Sequence, residues 1–482
     1  MSFEAHRSLA EAMDRADALG SYRDCFHIPK REDGSEEIYF CGNSLGLQPK
    51  SARSYAEEVL AAWARMGVRG HFEGDRPWLP YHEFATEKLA RLVGALPVET
   101  AAMNSLTVNL HLLMVSFYRP TPERHKILIE EHAFPSDRYA VASQIAFHGF
   151  DPDESLIEAK ARPGEAALRT ADVLDLIERE GDGIALILWP GLQFYTGQAF
   201  AMAEIAESGH RKGCVVGFDL AHAVGNLVLK LHDWNADFAV WCSYKYLNAG
   251  PGAVAGCFVH ERHAERFDLP RFAGWWGHDK STRFVMPPRF NPLPGAEGWQ
   301  LSNPPILSLA PLLASLDLFD QAGMDALRAK SESLTGYLEA LLNERCGDRI
   351  TILTPSESNA RGCQLSIRLK GDGGHTPAPC PHPLPLSKTL TRPSPKGRGR
   401  FEVRERGVQV PRPLGEGFRV REKDLCFDKP GKEVYDALIA SGIACDWREP
   451  DVIRVAPVPF YNRYAEVFDF VERLEGVLDD EG

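Results

Sequence analysis

Residues 213–225 read GCVVGFDLAHAVG, and residues 238–252 read FAVWCSYKYLNAGPG. Each stretch contains a short apolar run that ends in polar side chains, with Asp219 in the first and Lys245 in the second. Continuous apolar runs of this length are typical of strands in a parallel sheet that is buried on both faces. The two stretches therefore predict neighbouring strands whose polar ends meet at one edge of a sheet, where α/β proteins bind their ligands.

Similar apolar runs at 126–129 and 184–188 alternate with helical segments from about residue 89 to residue 309. This alternation predicts an α/β fold, in which a large domain has a mainly parallel sheet flanked by helices. The remaining sequence predicts a smaller α+β domain. The predicted units are N-terminal helices at 1–60 that pack with the small domain, a large domain at 61–310 and a small C-terminal domain at 311–482.

One segment, at 371–426, does not fit a folded domain. Its central part, 374–423, holds nine prolines and eleven Lys or Arg residues against four Glu. Prolines remove backbone donors and block helices, and too few residues are apolar to support a core. We therefore predict a disordered insertion inside the small domain. A nucleic-acid-binding arm is the alternative, but the segment lacks interleaved aromatic residues.

The composition limits the class of protein. The net charge of −13 argues against a nucleic-acid partner, and no apolar run approaches the roughly 20 residues that cross a bilayer. The N-terminus has neither the apolar core of a signal peptide nor the composition of a transit peptide. The ten cysteines include no C-x-x-C pair, which indicates reduced thiols in a cytoplasm and no disulfide frame or metal site.

Asp219 and Lys245 together suggest a specific chemistry. Burial disfavours the charged form of a lysine and makes it a usable nucleophile and base. An aspartate beside it can keep a pyridine nitrogen protonated, which is the pairing that pyridoxal 5'-phosphate (PLP) requires. His222 would face the same cavity. Taken singly, however, such an Asp is more often a turn residue and such a Lys more often lies on the surface.

Longer blocks of the sequence resemble the kynureninase family, whose members have the fold of type I PLP enzymes. The resemblance runs in order from about Tyr39 to Tyr461, apart from the insertion. The matching blocks are GNSLGLQP, LTVNLHLLM, AFPSDRYA, GFDLAHAVGN, VWCSYKYLNAG, GWWGHD, SNPPIL and IRVAPVP.

The resemblance implies that PLP is the cofactor and that Lys245 forms the Schiff base with it. Asp219 would pair with the ring nitrogen, and Tyr244 would reach the phosphate and take part in proton transfer. A phosphate also suits the helix start predicted at residue 106, because free N–H groups and the helix dipole favour an anion there. The other implied cofactor contacts are Leu106, Thr107, Phe134, Pro135, Ser136, Asp137, His222, Trp275 and Asn303.

The resemblance further implies hydrolysis of the Cβ–Cγ bond of L-kynurenine or 3-hydroxy-L-kynurenine. The products would be anthranilate or 3-hydroxyanthranilate and L-alanine, in tryptophan catabolism and NAD biosynthesis. Arg454 would bind the α-carboxylate of the substrate, since a guanidinium can offer it two parallel hydrogen bonds. A homodimer is implied too, because loops such as those of Trp275 and Asn303 commonly come from a second chain in this fold. The other implied substrate contacts are Ser44, His71, Ser302 and Asn303.

Two alternatives remain open from the sequence. The first is another enzyme of the same PLP fold, such as an aminotransferase or a cysteine desulfurase. A desulfurase needs a mobile nucleophilic cysteine, and neither Cys346 nor Cys363 lies in a recognisable loop of that kind. The second is a non-catalytic protein with a PLP fold, against which the presence of Lys245, Asp219 and Arg454 argues.

Overall fold

The computed structural model describes residues 3–370 and 431–480, and the predicted insertion at 371–426 lies outside these residues. The helices are α1 Phe3–Ala16, α2 Ala52–Met66, α3 Glu83–Val93, α4 Leu106–Phe117, α5 Pro135–Phe147, α6 Pro152–Ser155, α7 Thr170–Glu180, α8 Met202–Arg211, α9 Ile306–Ala322, α10 Met324–Cys346, α11 Lys432–Ala440 and α12 Tyr464–Asp480. The strands are β1 Ile38–Tyr39, β2 Thr100–Ala102, β3 Lys126–Glu130, β4 Leu156–Ala159, β5 Ile184–Pro190, β6 Val215–Asp219, β7 Phe238–Trp241, β8 Gly256–Val259, β9 Ile350–Ile352, β10 Leu365–Leu369, β11 Ile443–Ala444, β12 Asp446–Arg448 and β13 Val452–Val455.

The large sheet has seven strands in the order β2-β8-β7-β6-β5-β3-β4. Neighbouring strands from β7 to β4 run parallel, whereas β8 is antiparallel to both β7 and β2. The predicted α/β class with a mainly parallel sheet is therefore confirmed. The register pairs Pro190 with Asp219 and Asp219 with Val240, so the carboxyl ends of three strands lie side by side.

Apolar side chains cover both faces of this sheet, as the continuous apolar runs predict. Along β5, Ile187 and Trp189 pack into one hydrophobic cluster, while Leu186 and Leu188 pack into another. This alternation follows from the two-residue period of a strand, which sends successive side chains to opposite faces. Helices cover each face, and the polar strand ends are left at the edge where a ligand can bind.

The smaller unit is built on a four-stranded antiparallel sheet in the order β12-β13-β10-β9. Its core combines strand residues with the apolar faces of α10, α11 and α12, including Leu338, Leu438 and Phe470. The fold therefore contains the expected α+β unit. The limits of the domains stay a prediction, since α9 crosses the predicted boundary at residue 310.

The two N-terminal helices pack in different places. The α1 helix joins the small unit: Asp14 accepts hydrogen bonds from the backbone N–H groups of Tyr464 and Ala465, at 2.7 and 3.0 Å. Asp17 and Lys330 add a buried ion pair at 2.7 Å. The α2 helix instead packs against α9, and its Val59 belongs to the core of the large unit. The packing of the N-terminal helices with the small domain stays a prediction, since α2 meets α9, most of which lies within the predicted small domain.

The cysteines and the apolar character of the helices were both predicted from the sequence. The eight cysteines within the described ranges are all free thiols. Across residues 3–370 and 431–480, no helix combines the length and the apolar character that crossing a bilayer requires.

Candidate active site

A cavity lies at the carboxyl edge of the large sheet. Asp219 ends β6 at this edge, and Lys245 lies in the loop that follows β7. The cavity thus forms where the sequence predicts polar strand ends to meet. Its lining residues are Leu106, Thr107, Glu130, Phe134, Ser136, Asp137, Pro190, Leu192, Phe194, Asp219, Ala221, His222, Tyr244 and Lys245.

Lys245 reaches across the cavity to a histidine. Its Nζ lies 2.9 Å from Nε2 of His222 and 5.8 Å from the centre of the Phe134 ring. Burial, reinforced by the positive charge of Lys245, lowers the pKa of His222 well below its ordinary value. His222 is therefore neutral, and its Nε2 can accept a hydrogen bond from Lys245. Its buried Nδ1 has no hydrogen-bond partner among the described residues.

Three buried carboxyl groups, those of Glu130, Asp137 and Asp219, share the cavity wall. Burial raises the pKa of each one above its ordinary range. The nearby charges of Asp219 and Glu130 raise the pKa of Asp137 further, whereas a hydrogen bond from Asp137 lowers that of Asp219. These effects make Asp137 the carboxyl of the pair that more readily keeps a proton, and Asp219 the one whose charged form is better supported. Asp219 also accepts a hydrogen bond of 2.7 Å from the N–H of Ala221, so it is the carboxyl best able to carry the negative charge.

Another group of lining residues can receive an anion. The α4 helix begins at Leu106, and the side chain of Ser105 does not cap its first turn. The Thr107 hydroxyl lies 2.8 Å from that of Ser136, one residue after α5 begins at Pro135. Burial raises the pKa of Tyr244, so its phenol is protonated and can donate a hydrogen bond. Uncapped helix N–H groups and these three hydroxyls match the needs of a phosphate group.

These features fit PLP. A lysine amine, a carboxylate for a ring nitrogen and donors for a phosphate lie around one cavity, and Phe134 offers a ring face on its wall. The buried Nδ1 of His222 is a further polar atom for which a bound group can provide a partner. The residues at this site would therefore hold the cofactor at Lys245, Asp219 and the start of α4.

Ser44 and Arg454 meet beside the cavity and not on its wall. Both donate to the same oxygen, Oδ2 of Asp446: Ser44 Oγ does so at 3.0 Å, and Arg454 through Nη2. Arg454 also donates through Nη1 to the backbone oxygen of Phe194 at 2.5 Å. Since Phe194 lines the cavity, Arg454 lies directly behind the wall.

The GNSLG segment that carries Ser44 is seated tightly against the lysine loop. The N–H of Gly46 donates to the backbone oxygen of Tyr244 at 2.8 Å. A Cβ atom at Gly46 would lie only 2.2 Å from the backbone oxygen of Lys245. Only glycine permits this approach, which explains why a glycine stands at this point of the motif.

Apart from Ser44 and Arg454, five predicted residues do not line the cavity in a single chain: His71, Pro135, Trp275, Ser302 and Asn303. His71 packs edge-on against Trp78, with ring centres 5.3 Å apart. Trp275 is 41% exposed, and Ser302 and Asn303 are also exposed. The contribution of Trp275 and Asn303 to the site of a second chain stays a prediction.

Sequence reasoning missed several residues of the site. Glu130 could have been found, because it ends a buried strand at the same edge as Asp219. The apolar wall was not predictable from local patterns, since its members come from separate loops. Asp446 was missed although it lies eight residues before Arg454 and pairs with it across strands β12 and β13. The missed lining residues are Glu130, Pro190, Leu192, Phe194 and Ala221.

The cysteines do not support the desulfurase alternative. Cys363 is fully buried, and its backbone N–H donates to Asn226 Oδ1 at 3.0 Å. Cys346 is buried at the end of α10. Burial raises the pKa of both thiols, to about 12 and about 11, so neither is an activated nucleophile.

Solved structures show the same fold at low sequence identity. A cysteine desulfurase from Thermococcus onnurineus is similar with a TM-score of 0.66 and 14% identity, over 92% of this chain and 95% of that one. A cysteine desulfurase from Escherichia coli gives a TM-score of 0.67 and 15% identity, over 96% and 98%. At this identity the likeness concerns the fold alone.

Sequence relatives are far closer. A protein named kynureninase from Koribacter versatilis is 52% identical over 99% of each chain, and one from Myxococcus xanthus is 53% identical over 98% of each. The family model described as the kynureninase C-terminal domain matches residues 327–375 and 419–474, and the gap between these two parts falls within the predicted insertion. This chain belongs to the kynureninase family of PLP-dependent hydrolases.

Proposed function

We propose that this chain hydrolyses the Cβ–Cγ bond of L-kynurenine and 3-hydroxy-L-kynurenine. The products are anthranilate or 3-hydroxyanthranilate and L-alanine, so the enzyme serves tryptophan catabolism and NAD biosynthesis. The observation that carries the proposal is the identity of 52% with a protein named kynureninase over nearly the whole chain. The cavity that joins Lys245, Asp219 and an anion-binding helix start supports it.

Lys245 and Tyr244 are proposed to move the protons, and His222 is proposed to orient Lys245. Bound PLP supplies a ring that draws electrons away from the bonds broken in the substrate. Lys245 Nζ, once free of its covalent bond, accepts a proton from the substrate carbon and returns it later. Neutral His222, 2.9 Å away, orients that amine and does not compete with it for the proton. Tyr244, whose raised pKa keeps its phenol protonated, is the candidate for the second acid.

Asp219 and Asp137 are proposed to act as one unit at the ring nitrogen. Asp219 faces the nitrogen with the negative charge, and Asp137 donates to Asp219 and holds it in place. A low-dielectric site strengthens this pairing, because the water that would screen it is excluded. The phosphate of the cofactor would be bound by the first turn of α4 together with Thr107 and Ser136.

The active unit is proposed to be a homodimer. An apolar surface patch, formed by Phe72, Trp275, Phe284, Val285 and Met286, is exposed in the single chain. The Phe284 ring lies 5.5 Å from that of Trp275 and 6.4 Å from that of Phe72, so the patch is continuous. A patch of this kind favours burial against a partner. In a dimer, Trp275 and Asn303 would reach the cavity of the second copy.

We also propose that 3-hydroxykynurenine is the preferred substrate. His71, Ser302 and Asn303 would surround the aromatic ring and offer hydrogen bonds to its hydroxyl. A site built for a hydroxyl discriminates against the analogue that lacks it, by about 1–3 kcal/mol for each polar group left unpaired. Comparison of kcat/KM for the two substrates, in the parent and in His71→Trp, tests this preference. The small-molecule substrate and a second copy of the chain are the proposed partners, and the proposed location is the cytoplasm.

One experiment tests the activity directly. Purified protein is mixed with PLP and kynurenine, anthranilate is followed by its fluorescence and alanine is measured separately. Equal amounts of the two products are expected. Formation of pyruvate or of an aminotransferase product, or no anthranilate at all, would contradict the proposed function.

A further inference from the structure

We propose that Asp446 is a resident carboxylate that holds Arg454 in the substrate-free protein and releases it to the substrate. The inference rests on the proposed function and adds a residue to it. Asp446 pairs with Arg454 across the antiparallel strands β12 and β13, so the two side chains lie on the same face of the small sheet. Asp446 is therefore a positioning residue that acts through Arg454.

The Oδ2 atom of Asp446 already accepts hydrogen bonds from donors that a carboxylate ligand would use. It accepts hydrogen bonds from Ser44 Oγ at 3.0 Å, from Arg448 Nη2 at 3.0 Å and from Arg454 Nη2. Two of these donors, Ser44 and Arg454, are the residues that the family resemblance assigns to the substrate. The chain's own carboxylate thus occupies the donors that an incoming α-carboxylate needs.

On the edge of the Arg454 guanidinium formed by Nε and Nη2, only Nη2 has a hydrogen-bond partner among the described residues. Its Nη2 donates to Asp446 and its Nη1 to the backbone oxygen of Phe194, but its buried Nε has no partner among the described residues. Nε and Nη2 point the same way and form the fork that binds both oxygens of a carboxylate. A substrate carboxylate can satisfy both donors, whereas the contacts of Asp446 reach only Nη2.

Asp446 and the backbone oxygen of Phe194 both keep a hydrogen-bond donor when Arg454 turns to the substrate. Asp446 keeps its bonds to Ser44 and Arg448. The backbone oxygen of Phe194 keeps a bond of 3.0 Å from Gln364 Nε2. Most of the free-energy cost of breaking such a bond comes from leaving a buried acceptor unsatisfied. Because each acceptor has a second donor, the exchange costs little free energy.

The charges also leave room for one more anion. Arg448 and Arg454 carry two positive charges, and Asp446 offsets one of them. The nearby thiol of Cys41 is neutral, because burial raises its pKa to about 11. The site therefore favours a ligand with a single carboxylate, as in an α-amino acid.

The test compares the PLP-loaded parent with Asp446→Asn, using kynurenine and its α-carboxamide as ligands. The substitution keeps the shape and removes the competing charge. We expect KM for kynurenine to fall about tenfold, the order expected for one charge-assisted hydrogen bond. The inhibition constant of the carboxamide should not change. Asp451→Asn is the control, since Asp451 pairs with Arg368 in the same sheet, and it should leave both constants as in the parent.

A second variant gives the opposite sign. Arg448→Met removes the guanidinium that donates to Asp446 and competes with Arg454 for it. Asp446 should then bind Arg454 more strongly, and KM for kynurenine should rise several-fold. A higher or unchanged KM in Asp446→Asn, or a fall in KM in Arg448→Met, would overturn the inference. A parent protein that forms no anthranilate would contradict the proposed function instead, so the two failures are distinguishable.

Discussion

Lys245 Nζ and His222 Nε2 lie 2.9 Å apart on the wall of the cavity at the sheet edge. They come from the loops after two neighbouring parallel strands, β7 and β6. Because His222 is kept neutral by its burial and by the charge of Lys245, the imidazole accepts from the amine and fixes its direction. In the proposed reaction, Lys245 transfers the proton and His222 orients its amine.

Lys245→Ala should remove the covalent attachment of the cofactor. The protein incubated with PLP is expected to lose its visible absorbance band and its turnover, because Lys245 is the one lysine among the described residues that line the cavity. Lys230→Ala, at an exposed lysine, serves as the control and should behave as the parent. Borohydride reduction followed by peptide mapping should find PLP on Lys245, and recovery of the label on a different lysine would refute the assignment.

Substitution by asparagine should lower kcat more at Asp219 than at Asp137. Asp219→Asn removes the charge that faces the ring nitrogen, and kcat should fall on the order of 10²–10³-fold while PLP is still retained. Asp137→Asn should cost less, because the amide N–H can still donate to Asp219 in place of the carboxyl proton. Steady-state kinetics and cofactor titration measure both. Equal losses in the two variants would contradict the division of roles.

Asp237 should govern acid stability far from the cavity. Burial alone would raise its pKa, but hydrogen bonds from His210 and His263 and the charge of Arg262 lower it strongly overall. A lowered folded-state pKa means that the stabilisation is present above the ordinary aspartate value of about 3.9 and is lost as the pH falls below it. Asp237 also accepts from the N–H of Val216 at 2.8 Å, so it ties β6 to these side chains.

Asp237→Asn should therefore cost about 3–5 kcal/mol at neutral pH, as expected when a buried ion pair is broken. The difference in Tm between parent and variant should shrink as the pH is lowered below about 4. Asp233→Asn, at an exposed aspartate four residues earlier, is the control. A difference in Tm that stays constant from pH 7 to pH 3 would show that the charge of Asp237 is not the cause.

Phe284→Asp should separate the proposed homodimer. A charge in the middle of the exposed apolar patch cannot be buried without a partner, so association should weaken strongly. Sedimentation should detect the monomer, and activity should fall with it if Trp275 and Asn303 complete the site of the second copy. Phe147→Asp, at a residue 76% exposed that makes no ring contact with the patch, is the matched control. A Phe284→Asp monomer with full activity would refute the shared site.

Much of the fold and part of the site were predictable from the sequence. The strand ends at Asp219 and Lys245 follow from apolar runs, because a strand that is buried on both faces must be apolar throughout and can place polar groups only at its end. The helix start at Leu106 and the substrate role of Arg454 came from the family resemblance. The insertion stays a prediction, supported by the gap in the family match.

The sequence by itself determined the α/β class, the buried strands and the edge at which Asp219 and Lys245 lie, because these depend on local hydrophobic periodicity. Only the tertiary structure decided that Asp137 lies beside Asp219 and that Asp446 holds both Ser44 and Arg454. Ser44 and Asp446 are 402 residues apart in the chain, so no local pattern relates them. Their contact exists because the small domain packs against the GNSLG segment. The pKa of Asp137 is raised because burial brings carboxyl groups together without water to screen their charges.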